Sequence, residues 1–257
     1  MSDAIHHKQV IILTGAENGI GYHMLSALVA DGYRVAAIDI HIEAILQLDK
    51  KYPQLLLPIR CSVSDEDQVN DAVQQVFQTW GRIDILVNNA CLVVYQPFEE
   101  RTPDSIRQEF EVNYFGYLNL IRAVLPVMKS QGSGLIHNVS SGIGITGHSS
   151  LVGYTSTKGA VEAATRTLAF ELAPYGITVN LIHPPLTATQ STSAIGFPPG
   201  IMAQPDQIGK KLARKIQSRQ SSITPDFSTA IYLFFASHFP VILGRLFSKM
   251  SARLGNG

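Results

Sequence analysis

At 257 residues the chain is long enough for one large α/β domain and too short for two comfortable ones. Apolar residues make up 46% and charged residues 16%, the balance of a soluble globular protein with a large core. A formal net charge of zero leaves no electrostatic footprint for nucleic acid.

The first residues, Met1-Ser2-Asp3-Ala4, open no apolar run of the signal-peptide kind, and His6-His7 reads as solvated tail. Two cysteines, Cys61 and Cys91, make no disulfide framework, and no Cys/His cluster has zinc spacing, so a reducing, cytoplasmic setting without a bound metal is expected. Val10-Ile11-Ile12-Leu13 is a continuous apolar run suited to a strand buried on both faces. It ends in Thr14-Gly15-Ala16-Glu17-Asn18-Gly19-Ile20-Gly21, after which Met24, Leu25, Leu28 and Val29 recur at helical spacing. A glycine turn between buried strand and helix lets backbone N–H groups approach a phosphate pair.

The second strand, from Arg34 to Ile38, ends at Asp39. An acidic residue about 20 positions past a glycine turn holds the ribose diol of NAD and repels a 2′-phosphate. Glu17 adds a second negative charge in the turn, while Asp39 also reads as a cap for a helix over residues 42–50. Residues 55–60 read as a third strand. Ser64-Asp65-Glu66-Asp67 has the pattern of a capping box before a helix whose Val69, Ala72, Val73, Val76 and Trp80 share a face. Residues 83–87 are the fourth strand, ending in Asn88-Asn89-Ala90-Cys91. A helix starting at Thr102-Pro103 runs towards Lys129 with the polar Asn113 in its middle.

Residues 134–140 form the fifth strand and deliver Ser141; residues 177–182 form the sixth, ended by His183-Pro184-Pro185. Between them lies Tyr154-Thr155-Ser156-Thr157-Lys158 in a helical segment. The spacing puts phenol and ammonium on one face, one turn apart. Bringing a phenol from a pKa of about 10 to near neutrality takes roughly 4 kcal/mol, and a neighbouring ammonium acts in that direction. Strands alternating with helices predict a Rossmann-like, doubly wound parallel sheet of six to seven strands, helices on both faces, in one domain. Ligands in such sheets bind off the carboxyl ends of the strands, where the glycine turn, Asp39, Asn89 and Ser141 fall.

With these residues in order, the chain resembles the short-chain dehydrogenase/reductase family over about residues 8–190. The motifs that carry the resemblance are Thr14-Gly15-x-x-x-Gly19-x-Gly21, Asn88-Asn89-Ala90, Asn113, Ser141, Tyr154-x-x-x-Lys158 and Asn180-x-x-x-Pro184. It implies hydride transfer between a nicotinamide and a carbonyl/alcohol pair. Tyr154 would be the general acid–base and Ser141 the donor to the substrate oxygen. Lys158 would bind the nicotinamide ribose and lower the Tyr154 pKa, and Asn113 would hold a relay water. The cofactor, expected to be NAD, would lie against Gly15, Asn18, Gly19, Ile20, Gly21, Asp39, Ser62, Val63, Asn89, Ala90, Pro184, Thr187 and Thr189. Three positions depart from the family pattern: Ser62 for an aspartate, Cys91 for a glycine, and Pro185 for a glycine.

The leading expectation is an NAD-dependent alcohol dehydrogenase or ketone reductase for a hydrophobic secondary alcohol or ketone, assembled as a homodimer or homotetramer. The alternatives are an NADPH-dependent reductase of carrier-bound acyl chains and a non-catalytic NAD-binding regulatory module. Neutral charge and Asp39 speak against the first, and the complete Asn113/Ser141/Tyr154/Lys158 set against the second. Residues 187–206 read as a substrate lid and 225–254 as an atypical helical extension, with a brief seventh strand near 221–224. In the extension, residues 227–239 are apolar on all sides, which means burial or a partner. After Pro240, Leu243, Leu246, Phe247, Met250 and Leu254 run beside Arg245, Lys249 and Arg253. That pattern suits packing on a second subunit, cover over the substrate entrance, or peripheral contact of residues 241–254 with an anionic membrane.

Overall fold

The computed structural model describes residues 9–195 and 200–254. Seven parallel strands form one sheet in the order β3-β2-β1-β4-β5-β6-β7. They are β1 (Val10–Thr14), β2 (Arg34–Asp39), β3 (Leu56–Arg60), β4 (Ile85–Asn88), β5 (Gly134–Val139), β6 (Ile177–Ile182) and the two-residue β7 (Ser222–Ile223). The expected doubly wound sheet is present, and the order reverses between β1 and β4, where a crevice opens above the strand ends.

Period-two alternation in β1 sorts the core into two layers. Ile11 and Leu13 face one layer, with Met24, Leu25 and Leu28 of α1 (Gly19–Ala30), Ile45 of α2 (Glu43–Asp49) and, from later in the chain, Ile208 and Leu212. Val10 and Ile12 face the other, with Val69, Val73 and Val76 of α3 (Glu66–Trp80) and, from a later helix, Leu120, Ile121 and Val124. Helices cover both faces, so the strands read as unbroken apolar runs. The helix over Asn113 is one path in three pieces: α4 (Pro103–Phe110), a π turn (Glu111–Phe115) and α5 (Gly116–Gln131). The short α6 (Ile143–Thr146) follows β5, and the long α7 (Val152–Leu172) carries Tyr154 and Lys158.

Two caps differ from the expected ones. Asp65, not Ser64, caps α3 by accepting from the Gln68 backbone N–H at 3.1 Å. Asp39 does not cap α2; Glu17 does, accepting from Ala44 N at 2.7 Å and Ile45 N at 3.2 Å. The Glu17 charge is thereby drawn out of the glycine turn to the positive end of α2.

The chain closes with α8 (Pro205–Ala213), α9 (Phe227–His238) and α10 (Pro240–Leu254). Of the segment read as a lid, residues 196–199 lie outside the described residues. Its first part folds back on itself, with Thr187 bridged to Ala203. Thr189 stands over Gly19, where a Cβ would come within 3.2 Å of the threonine methyl.

Candidate active site

The glycine turn starts where β1 stops. Gly15 (φ +65°) and Gly19 (φ +57°) occupy left-handed backbone that side chains rarely adopt. A Cβ on Gly21 would land on the Gly15 carbonyl oxygen, and one on Gly15 would meet Ala90 Cα at 2.7 Å. Asn89 fastens the turn: its Nδ2 donates to Thr14 O at 3.0 Å and Gly15 O at 2.9 Å. Asn18 precedes α1 in extended conformation with no side-chain hydrogen bond to the helix, so the first-turn N–H groups face the crevice uncapped. Asp39 ends β2 beside them, accepting from Glu17 N at 3.1 Å and His41 N at 3.3 Å.

The second half of the site comes from β5, the loop after it and α7. Ser141 lies beside the Tyr154 hydroxyl, near enough to favour its charged form. Lys158, 1% exposed, donates from Nζ to the Val139 carbonyl at 2.7 Å and to the Tyr117 hydroxyl at 3.2 Å. Its Nζ lies 5.6 Å from the centre of the Tyr154 ring. Burial shifts the pKa of both groups. Burial pushes Tyr154 up, Cys91 and Glu109 add to it, and Ser141 opposes without prevailing. Burial likewise lowers the Lys158 ammonium, against the pull of Cys91 and Glu162. Burial is the largest influence on both groups, raising the phenol and lowering the ammonium.

Both halves open into a single cavity of about 690 Å³. Among its walls are Gly15, Asn18, Gly19, Ile20, Gly21, Asp39, Ser62, Val63, Asn89, Ala90, Ser141, Tyr154, Lys158, Pro184, Thr187 and Thr189, so residues spread over 175 positions converge there. Asn113 does not line it. Its Oδ1 accepts from Leu92 N at 2.6 Å, and its Nδ2 donates to Leu92 O at 2.8 Å and Thr157 Oγ1 at 3.1 Å. Both ends of that amide are taken up in tying the loop after β4 to α7.

Three contributors escaped the sequence reading. Tyr117 receives the Lys158 ammonium. Glu162 and His183 stand behind the serine pair: Glu162 Oε1 accepts from Ser140 Oγ at 2.7 Å and lies 2.6 Å from His183 Nε2. Burial raises the Glu162 pKa, but hydrogen bonds from His183 and Ser140, with Arg166 nearby, bring it below the ordinary carboxylate value. Glu162 lies one helical turn past Lys158, and that spacing was the available signal. The far wall comes from the end of the chain, Tyr232 of α9 and Phe247 of α10, whose rings meet edge to face at 5.6 Å.

The residues fit a dinucleotide. The glycine cradle leaves no room for Cβ atoms, the α1 N-terminus offers uncapped donors for a pyrophosphate, and Asp39 faces the same cavity. Comparison with known proteins agrees. A 3alpha-hydroxysteroid dehydrogenase of Mediterraneibacter gnavus is 31% identical over 235 residues, covering 90% of each chain. An L-fucose dehydrogenase of Oryctolagus cuniculus is 31% identical over 261 residues, all of this chain and 89% of that one. The crystal structure of a 3-ketoacyl-(acyl-carrier-protein) reductase from Brucella melitensis complexed with NADH superposes with TM-score 0.76. It is 28% identical and covers 84% of this chain and 94% of its own. The family model described as short chain dehydrogenase matches residues 9–196. On that match and that site, the chain belongs to the short-chain dehydrogenase family of oxidoreductases.

Proposed function

We propose that this oxidoreductase uses NAD(H) to interconvert a hydrophobic secondary alcohol and its ketone. The carrying observation is one cavity whose walls include Asp39, Ser141 and Tyr154 together with the apolar side chains of Ile143, Leu151, Tyr232 and Phe247. The nicotinamide, when bound, supplies or accepts the hydride at the carbonyl carbon. Tyr154 as the phenol donates its proton to the carbonyl oxygen during reduction and is reprotonated from solvent; in oxidation it acts as the phenolate and takes the alcohol proton. Ser141, on the same cavity wall as that phenol, donates to the same oxygen as negative charge develops there. Lys158 offers its ammonium to the ribose hydroxyls, held in place by Val139 O and Tyr117.

The NAD preference rests on charge. Asp39 is the carboxylate facing the cavity, and Lys158, beside Tyr154, is its one lysine or arginine among the described residues. A 2′-phosphate beside Asp39 would meet repulsion, with neither lysine nor arginine lining the cavity beside it among the described residues. Assembly as a homodimer or homotetramer belongs to the same proposal. The test is kcat/KM with NADH and NADPH over a panel of hydrophobic ketones, a sugar and an acyl thioester. NADH should win with a bulky apolar ketone. Asp39→Ala should erode that preference about 10- to 100-fold, the loss of a charge-assisted hydrogen bond. Better turnover with NADPH overturns the cofactor assignment, and turnover confined to acyl thioesters overturns the substrate class.

A further inference from the structure

The last two helices carry an outer face that the rest of the molecule leaves uncovered. On α9, Phe227 is 79% exposed and Phe234 58%; past the bend, Val241 is 59%, Ile242 66% and Leu246 50% exposed. The inner side of the pair is accounted for. Tyr232 packs on Gly142, Gly244 sits against the Thr146 carbonyl, and Ser248 Oγ accepts from Ser149 N at 2.9 Å. Exposed apolar surface on this scale marks an interaction site.

Two further observations say what covers it. Residues 227–257 contain Arg245, Lys249 and Arg253 and no aspartate or glutamate. Arg245 and Lys249 are exposed one turn apart, flanking Ile242 and Leu246 on the same helix. A second copy packed on this face about a two-fold axis would bring cations to cations, with no carboxylate from either helix pair to answer them. The second observation is shape. Among the described residues no single helix is long and apolar enough to cross a bilayer. The two arms, Phe227–His238 and Pro240–Ser251, pass that test together but are bent by 116°. A bent pair with an apolar first arm and an amphipathic second arm, Arg245 and Lys249 beside its apolar residues, fits the interface plane, apolar side sunk about 5–10 Å.

We propose that α9 and α10 dock the protein on the surface of an anionic lipid bilayer. Ile242, Leu246 and Phe234 enter the acyl boundary, and Arg245 and Lys249 meet the headgroup phosphates. The same helices place Tyr232 and Phe247 in the cavity wall, so docking sets the cavity about one helix diameter, roughly 10 Å, from lipid.

The experiment is flotation of the full-length protein with vesicles of phosphatidylcholine alone or mixed with phosphatidylserine. It needs neither substrate nor cofactor, so it stands or falls apart from the proposed reaction. The protein should float with the mixed vesicles, and added salt should release it. Arg245→Gln with Lys249→Gln should weaken partitioning about 30-fold, the loss of two basic groups near an anionic surface. Ile242→Asp with Leu246→Asp should abolish it on both compositions, with the thermal midpoint unchanged because both positions are exposed. Absence of flotation, or flotation indifferent to both double variants, overturns the proposal. So does light scattering that finds a dimer which Ile242→Asp with Leu246→Asp splits into monomers, since a second copy then covers the face.

Discussion

The strands around the glycine turn and the two closing helices are both dense in apolar residues, yet the fold treats them in opposite ways. Val10, Ile11, Ile12 and Leu13 are completely buried, because α1 and α8 cover one face of the sheet and α3 and α5 the other. In α9 only Thr229 and Ala236 are buried, while Phe227, Ile231, Phe234 and Phe235 remain exposed. An apolar run in a parallel strand finds its cover within the domain, since crossover helices lie on both faces by construction. A helix that is apolar all round at the end of the chain has one side to give the domain and another left over. The first region carries the glycine cradle, and the second lends Tyr232 and Phe247 to the cavity wall.

Substitutions at matched apolar positions break or sharpen this contrast. Leu25→Ala, in a completely buried site on α1, should cost about 2–5 kcal/mol in denaturant unfolding, with cofactor affinity falling as the cradle loosens. A cost near zero would mean that this layer is less tightly packed than its burial indicates. Tyr154→Phe should lower kcat by a factor of about 10² or more while leaving NADH binding, read by fluorescence, nearly intact. Retention of most of the turnover would remove Tyr154 from the proton-transfer role.

Glu162→Gln tests the support behind Ser141 and should cost about 1 kcal/mol, because the amide keeps an acceptor but loses the charge. Its pH signature is specific. The folded-state pKa of Glu162 is depressed, so its contribution is present above the unfolded carboxylate value of about 4.3 and is lost as pH falls through the folded value. Wild type should lose stability to the variant's level on acidification; parallel curves from neutral to strongly acidic pH would show that Glu162 carries no such linkage. The smallest effect belongs to the outer helix. Leu246→Ser should stay within about 0.5 kcal/mol of wild type, since the side chain is 50% exposed. A loss comparable to that at Leu25 would mean that this face is buried in solution against another molecule.

Much of the sheet was legible in the chain. β2, β5 and β6 carry β-propensity and sharp ends, and their observed bounds are close to those read from sequence. β4 lies two residues later than the apolar run at Ile83, because pairing with β1 begins at Ile85. The motifs marked which residues share the cavity, since glycine turns and strand ends are local features and the parallel topology brings strand ends together. Asn113 shows the limit of that reading: no local pattern indicated that its side chain would brace the loop after β4 against α7 through contacts at sequence separations of 21 and 44.

What the sequence determined by itself is therefore the order of elements, the chemistry available at each strand end and the one-turn pairing of Tyr154 with Lys158. Each depends on residues within a turn or a strand of one another. Tertiary structure alone decided that Glu17, not Asp39, caps α2, that Tyr117 receives the lysine, and that Glu162 meets Ser140 and His183 behind the serine. It also decided that Tyr154 and Lys158 are buried together and that Tyr232 and Phe247 complete the cavity. Desolvation and long-range contact depend on what packs from elsewhere in the chain, and no local period or spacing encodes that.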